Sequence, residues 1–140
     1  MGNVEKLITI QVTIDADISK VWDYWSLPEH IKKWNSASID WHTTIAENDL
    51  CIGGKFLSRM EAKDGSMGFD FGGVYDEVIL NKLIAYTIGD GRKVRINFIE
   101  TNTGTEIKQS FEAEETNPIE MQKNGWQAIL NNFKKYVENN

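Results

Sequence analysis

Residues 38–115 alternate apolar and polar side chains in short runs, each ended by turn residues, and nothing there has helical spacing. A period of two puts every second residue on one side, so these runs read as strands with one apolar face. Ile39, Trp41, Thr43 and Ile45 share a side of the first run. After Gly53-Gly54, Phe56, Ser58, Met60 and Ala62 oppose Lys55, Leu57, Arg59 and Glu61. Lys63-Asp64-Gly65-Ser66 is a hairpin turn, because Asp-Gly accepts the positive φ that tight turns need. Met67, Phe69 and Phe71 open the returning strand. Gly72-Gly73 within it marks a bulge or a close backbone approach and leaves the phase of residues 74–79 open. Asn81-Lys82, Gly89-Asp90-Gly91 and residues 101–104 are further turns. Between them Ile84, Tyr86 and Ile88 share one face, as do Val94, Ile96 and Phe98. Thr105, Ile107, Gln109, Phe111 and Ala113 form the last apolar face.

About six antiparallel strands with one apolar face need a cover, and the sequence supplies a single long one. Trp126, Ile129, Leu130, Phe133 and Val137 fall at i, i+3, i+4, i+7 and i+11, an apolar stripe on a helix that starts near Glu120 after Pro118. Gly125 just precedes the stripe; it would let the helix approach a strand closely or leave room for a ligand. Ahead of the strand run, Leu7–Ile14 alternates Ile8, Ile10, Val12 and Ile14 with polar positions and reads as one more strand. Asp17 or Ser19 then caps a short helix bearing Ile18, Val21, Trp22 and Trp25. Leu27-Pro28 ends that helix, and Pro28 opens a second one, through Trp34, with Ile31 and Trp34 on one side. The whole is an α+β domain with a curved antiparallel sheet of six to seven strands wrapped on a C-terminal helix.

The 140 residues suit one domain. The net charge of −6 lacks the basic excess that phosphate backbones require, so nucleic acid is excluded as a partner. No apolar run approaches the ~18 residues of a membrane span, so no insertion is expected. Residues 1–6 lack a signal-peptide pattern, and Lys6 stands where a myristoylation motif beginning at Gly2 would place Ser or Thr. The expected location is the cytoplasm, and the lone Cys51 excludes an internal disulfide. Five tryptophans would serve a solid aromatic core or an aromatic-lined cavity equally well.

Reactive motifs are sparse. His30, His42 and Cys51 have no metal-ligand spacing, so neither a metal nor a cofactor is expected. Ser66 lies on a hairpin turn, away from the strand–helix elbow of hydrolases. Asp70, Asp76, Glu77 and Glu106 lie on strands, where solvent is the default. Glu77 follows the glycine pair and is the carboxylate that a phase change would turn inward, where burial would fit it for acid–base work. Arg59 and Arg95 alternate away from Phe56 and Val94, and His42 away from Trp41.

Several of these pieces, in order, resemble a known family. Val21-Trp22-Asp23-Tyr24-Trp25-Ser26 with Pro28-Glu29 and Trp34 is similar to its N-terminal signature. Gly53-Gly54-Lys55-Phe56, Met60 and Asp64-Gly65-Ser66 match its glycine-led hairpin, and Phe71-Gly72-Gly73-Val74-Tyr75 its next strand. Gly104-Thr105-Glu106-Ile107 and Gly125-Trp126 with Leu130 complete the pattern. The chain thus resembles the SRPBCC (START-like, birch-pollen-allergen-like) superfamily, and within it the activator-of-Hsp90-ATPase homologues.

The resemblance implies the helix-grip fold as a single ligand-binding domain, with a cavity between sheet and C-terminal helix that relatives use for lipids, sterols, plant hormones and polyketides. It implies a lining of Phe56, Met60, Met67, Phe69, Phe71, Tyr75, Tyr86 and Phe98 from the sheet, and of Trp126, Leu130 and Phe133 from the helix, with Trp34 at the mouth. The expected partner is a small hydrophobic or aromatic, lipid-like molecule, with Tyr75 and Tyr86 as polar anchors. Two alternatives stay open. One is an interaction module for an Hsp90-type chaperone in a stress response, although the eukaryotic namesake carries an additional N-terminal domain for which 140 residues leave no room. The other is a cyclase- or hydrolase-like enzyme using the same cavity. Monomer and homodimer are equally compatible with the sequence.

Overall fold

The computed structural model describes residues 7–140; the readings made on residues 1–6 lie outside it. The order is β1 (Leu7–Ile14), α1 (Ile18–Ser26), α2 (Pro28–Trp34), β2 (Trp41–Asn48), β3 (Lys55–Ala62), β4 (Gly68–Ile79), β5 (Leu83–Ile88), β6 (Lys93–Glu100), β7 (Thr105–Glu112) and α3 (Ile119–Asn139). The strands make one antiparallel sheet in the order β1-β7-β6-β5-β4-β3-β2. This is the helix-grip arrangement. Six strands form a meander, and β1 joins its far edge by pairing with β7 from Leu7↔Glu112 to Ile14↔Thr105.

Local chemistry sets the helix ends. The Asp17 side chain caps α1 by accepting from the Lys20 backbone N–H at 3.0 Å, and Ser19 Oγ donates to the same carboxylate at 2.8 Å. Leu27 has extended φ and ψ, as the position before proline prefers, and Pro28 starts α2. α3 is pinned along β1: Gln127 Nε2 donates to the Gln11 carbonyl at 3.1 Å, Lys134 to the Thr13 carbonyl, and the Asp15 N–H to Glu138 at 2.9 Å. Its stripe then faces the concave side of the sheet. Leu130, Phe133 and Val137 are at most 1% exposed, in one cluster with Ile10, Ile14, Val21, Ile96, Ile107 and Phe111.

Two register shifts alter the alternation read from sequence. In β2 a shift between Thr43 and Ile45 buries Thr43 but leaves Ile45 half exposed. Ile39, expected on the same face, lies before the strand and is exposed. In β4 the bulge falls between Tyr75 and Glu77, beyond the glycine pair. Tyr75 points inward and Val78 is half-buried, while Asp76 and Glu77 both face solvent.

Gly72-Gly73 is instead the close backbone approach. A Cβ on Gly73 would lie 2.3 Å from the Thr87 carbonyl oxygen and 3.1 Å from both Ile88 Cα and Phe56 Cε1. Gly73→Ala must therefore push β4 away from β5. It is expected to lower the unfolding free energy by about 3 kcal/mol, the scale of overpacking, with an earlier urea midpoint. Gly125 behaves oppositely. Its Cβ would meet nothing within 4 Å, so the helix makes no close approach there, and Gly125→Ala is expected to stabilise by about 1 kcal/mol in the same titration.

Candidate functional site

The core does not fill the whole concave side. A cavity of about 360 Å³ lies between the sheet, α3 and the α1–α2 pair, at the lower end of the range for small-molecule pockets, roughly 300–1,000 Å³. Its origin is geometric. α3 is fixed against β1, while the sheet curves away through β5, β4 and β3, so the far strands and the helix diverge. Trp126 spans the gap at one end: it stacks on Phe111 of β7 at 4.0 Å between centroids and meets the edge of Phe71 on β4 at 6.0 Å. At the other end Trp25, Ile31 and Trp34 of the short helices close it.

Eight of the twelve residues expected from sequence line this space: Trp34, Phe56, Met60, Phe69, Phe71, Tyr75, Tyr86 and Trp126. The other four lie elsewhere, for identifiable reasons. Met67 sits just before β4 in the hairpin turn and is 67% exposed. Phe98 points inward at a different level and packs on Trp22 and Trp25, with centroids 5.1 and 5.9 Å away. Phe133 is sealed by edge contacts with Trp25 at 4.9 Å and Trp34 at 4.8 Å, and Leu130 is 1% exposed in the same core. The face of α3 toward the cavity is Trp126 and Ile129; the face one step round is solid core.

A few polar groups converge on the aromatic walls. The Tyr75 hydroxyl donates a short hydrogen bond to Asn48 Oδ1, and Asn48 Nδ2 donates to the Ser26 carbonyl at 2.7 Å, which ties β4, β2 and α1 together. Tyr86 lies beside Tyr75 on β5, rings perpendicular at 6.1 Å. Burial pushes both hydroxyls well above the usual phenol range, so both stay protonated. Ser58 and Gln109 are buried on the inner face, 6% and 5% exposed. Arg92 comes from the β5–β6 hairpin, where Asp90 takes its Nε at 2.9 Å and the Glu112 carbonyl its Nη1 at 3.3 Å. Glu114, half-buried, and Glu47, exposed, also line the space.

The carboxylates singled out from sequence are all away from it. Glu77 pairs with Arg95 at 3.4 Å and Asp70 with Arg59 at 3.3 Å on the outer surface, Asp76 accepts from Thr87 at 2.7 Å, and Glu106 lies on the outer side of β7. His42 is exposed. His30 joins α2 to α3, its Nδ1 2.6 Å from the Tyr136 hydroxyl and its ring stacked on Tyr24. Among the described residues no cluster of three or more His, Cys, Asp or Glu is placed to hold a metal, and no helix is long and apolar enough to cross a membrane. The sequence reading did not name Gln109 or Ile129 as lining, and it missed Asn48, Arg92 and Glu114. Asn48 turns inward only because of the β2 register shift, and the other two lie at strand ends, where alternation carries no signal.

This geometry recurs in other proteins. The structure of an AHSA1-like protein from Aeromonas hydrophila superposes with a TM-score of 0.91 at 42% identity, over 96% of this chain and 93% of that one. A protein from Cytophaga hutchinsonii is 62% identical, with a TM-score of 0.82 over 94% and 92% of the two chains. A protein from Nitrosomonas europaea shares the fold at 20% identity, TM-score 0.84, over 99% and 98%. No curated protein matches. The family model described as Activator of Hsp90 ATPase homolog 1-like protein matches residues 15–138. That match takes in both short helices, all six strands of the meander and nearly all of α3, and the chain therefore belongs to the activator of Hsp90 ATPase homolog 1-like family.

Proposed function

We propose that the chain is a single ligand-binding domain that holds a small hydrophobic or aromatic molecule between α3 and the sheet. The observation that carries this reading is the cavity itself: about 360 Å³, walled by Phe56, Phe71, Tyr75, Tyr86, Trp34 and Trp126. Small-molecule sites have this build, a mostly apolar enclosure with a few oriented polar groups. Affinity would come from burying the ligand's apolar surface, about 25 cal/mol per Å² before ordering costs. The volume suits a compact ring system better than a long-chain lipid.

Native mass spectrometry of the freshly purified protein tests this directly. The expected result is a retained small molecule, released on denaturation. A clean apo mass, with no binding of aromatic probes in a chemical-shift titration, would overturn it.

One observation favours a second reading, an interaction module for an Hsp90-type chaperone. Ile39, Met67 and Phe69 are exposed near Trp41, on or beside strands β2 to β4, and exposed apolar groups clustered together mark contact surfaces. Co-elution with a cognate Hsp90 and stimulated ATP turnover would support it; absence of both would remove it.

A further inference from the structure

We propose that the cavity selects an uncharged aromatic molecule bearing a hydroxyl or carbonyl group, with the Gln109 amide and the Tyr86 hydroxyl as the groups that read it. This selectivity rests on the binding reading above.

Gln109 stands on the inner face of β7 between Ile107 and Phe111 and is 5% exposed. Its amide makes no hydrogen bond with the described residues, yet its polar atoms are not sealed within protein; they open on the cavity. The Tyr86 hydroxyl is in the same position: 7% exposed, without a partner among the described residues, and open to the cavity. Tyr75, by contrast, is already engaged by Asn48. Buried polar groups in native proteins are almost always paired. The hydroxyl of Ser58, 6% exposed on the same inner face, is likewise without a hydrogen-bond partner among the described residues. Polar groups left open toward one aromatic-walled space are what a site needs to accept a ligand's polar atoms, and such a site rejects an analogue that lacks them, because the analogue strips their water and returns nothing.

Charge decides against an acidic ligand. Among the described residues Arg92 is the one cation lining the cavity, and its charge is matched by Asp90, which also accepts from the Arg92 backbone N–H at 3.1 Å. Glu47 and Glu114 add two carboxylates to the same lining. A ligand carboxylate would lose its hydration to face neutral dipoles and a negative balance, which is unfavourable. A cation drawn by those carboxylates would leave Gln109 and Tyr86 unused, deeper in.

Four bicyclic probes separate these cases in a chemical-shift titration: 2-naphthol, 2-methylnaphthalene, 2-naphthoate and 2-naphthylmethylammonium. The expected order places 2-naphthol about tenfold or more tighter than the other three. Gln109→Met and Tyr86→Phe keep shape while removing the polar atoms. Each is expected to weaken 2-naphthol about tenfold, the worth of one net hydrogen bond, and to leave 2-methylnaphthalene unchanged. Neither should lower the melting temperature, since neither polar group is hydrogen-bonded to another described residue. If either charged probe binds tightest, or if naphthol and methylnaphthalene bind alike and neither variant matters, the selectivity is wrong while the binding reading stands. If none of the four binds, the selectivity is wrong, and a clean apo mass beside that result removes the binding reading as well.

Discussion

Phe133→Ala is expected to lower the unfolding free energy by about 3–5 kcal/mol, a large part of what holds a domain of this size together. Phe133 is fully buried on α3 and makes edge contacts with Trp25 and Trp34, so one ring fastens α1, α2 and α3 at once. Such aromatic pairs contribute about 0.5–1.5 kcal/mol beyond the area they bury. The measurement is a urea titration with the slope checked against wild type. The midpoint should move sharply and the slope should not, and the melting temperature should fall by about 10 °C or more. A loss under about 1 kcal/mol would show that Phe133 faces open space after all, as the sequence reading held.

That difference marks where sequence reasoning stopped. Strand and helix order follows from period: alternation separates β1 and β3 to β7, and the 3.6-residue stripe fixes α3. Pro28 and the Asp17 cap set the helix boundaries, because both act through their immediate neighbours. Irregularities were legible only as breaks. Gly72-Gly73 announced a disturbance in β4, but the phase reset occurs at Asp76, where no residue type signals it. The shift near Thr44 in β2 has no glycine at all, and it alone turns Asn48 toward Tyr75.

Six of the eight sheet residues named from sequence border the cavity, and of the three helix residues Trp126 borders it while Leu130 and Phe133 lie in the core. One strand face is one wall, so Phe56, Met60, Phe69, Phe71 and Tyr86 are consistent with alternation once the inner face is known, whereas Tyr75 lies beyond the glycine pair, where alternation left the phase open. A helical stripe covers a wider arc than one contact. Its neighbours Ile129, Leu130 and Phe133 divide between cavity and core according to where β1 holds the helix. That placement depends on Gln127 and Lys134 bonding to β1 and Glu138 to Asp15 just after it, long-range contacts that no local pattern encodes. The resemblance implied a space between the sheet and the helix; it carried no information on which side of α3 borders it.

Ile129→Arg should accordingly abolish ligand binding in a protein that still folds. Ile129 is half-buried, lines the cavity, and sits one turn from Trp126 on the same helix. An arginine there can run its methylenes along the apolar wall and carry its guanidinium toward the opening, so the expected cost to stability is about 1–2 kcal/mol. The same side chain occupies ligand volume and brings its own hydration shell into a space of about 360 Å³. Probe affinity should drop roughly a hundredfold or more, about 2.8 kcal/mol. Any molecule retained by the wild type should vanish from the native mass spectrum. Leu130→Arg would be a poor substitute, because at 1% exposure its charge has no way out and unfolding would imitate loss of binding. Wild-type affinity in a folded Ile129→Arg variant would place the ligand somewhere other than between α3 and the sheet.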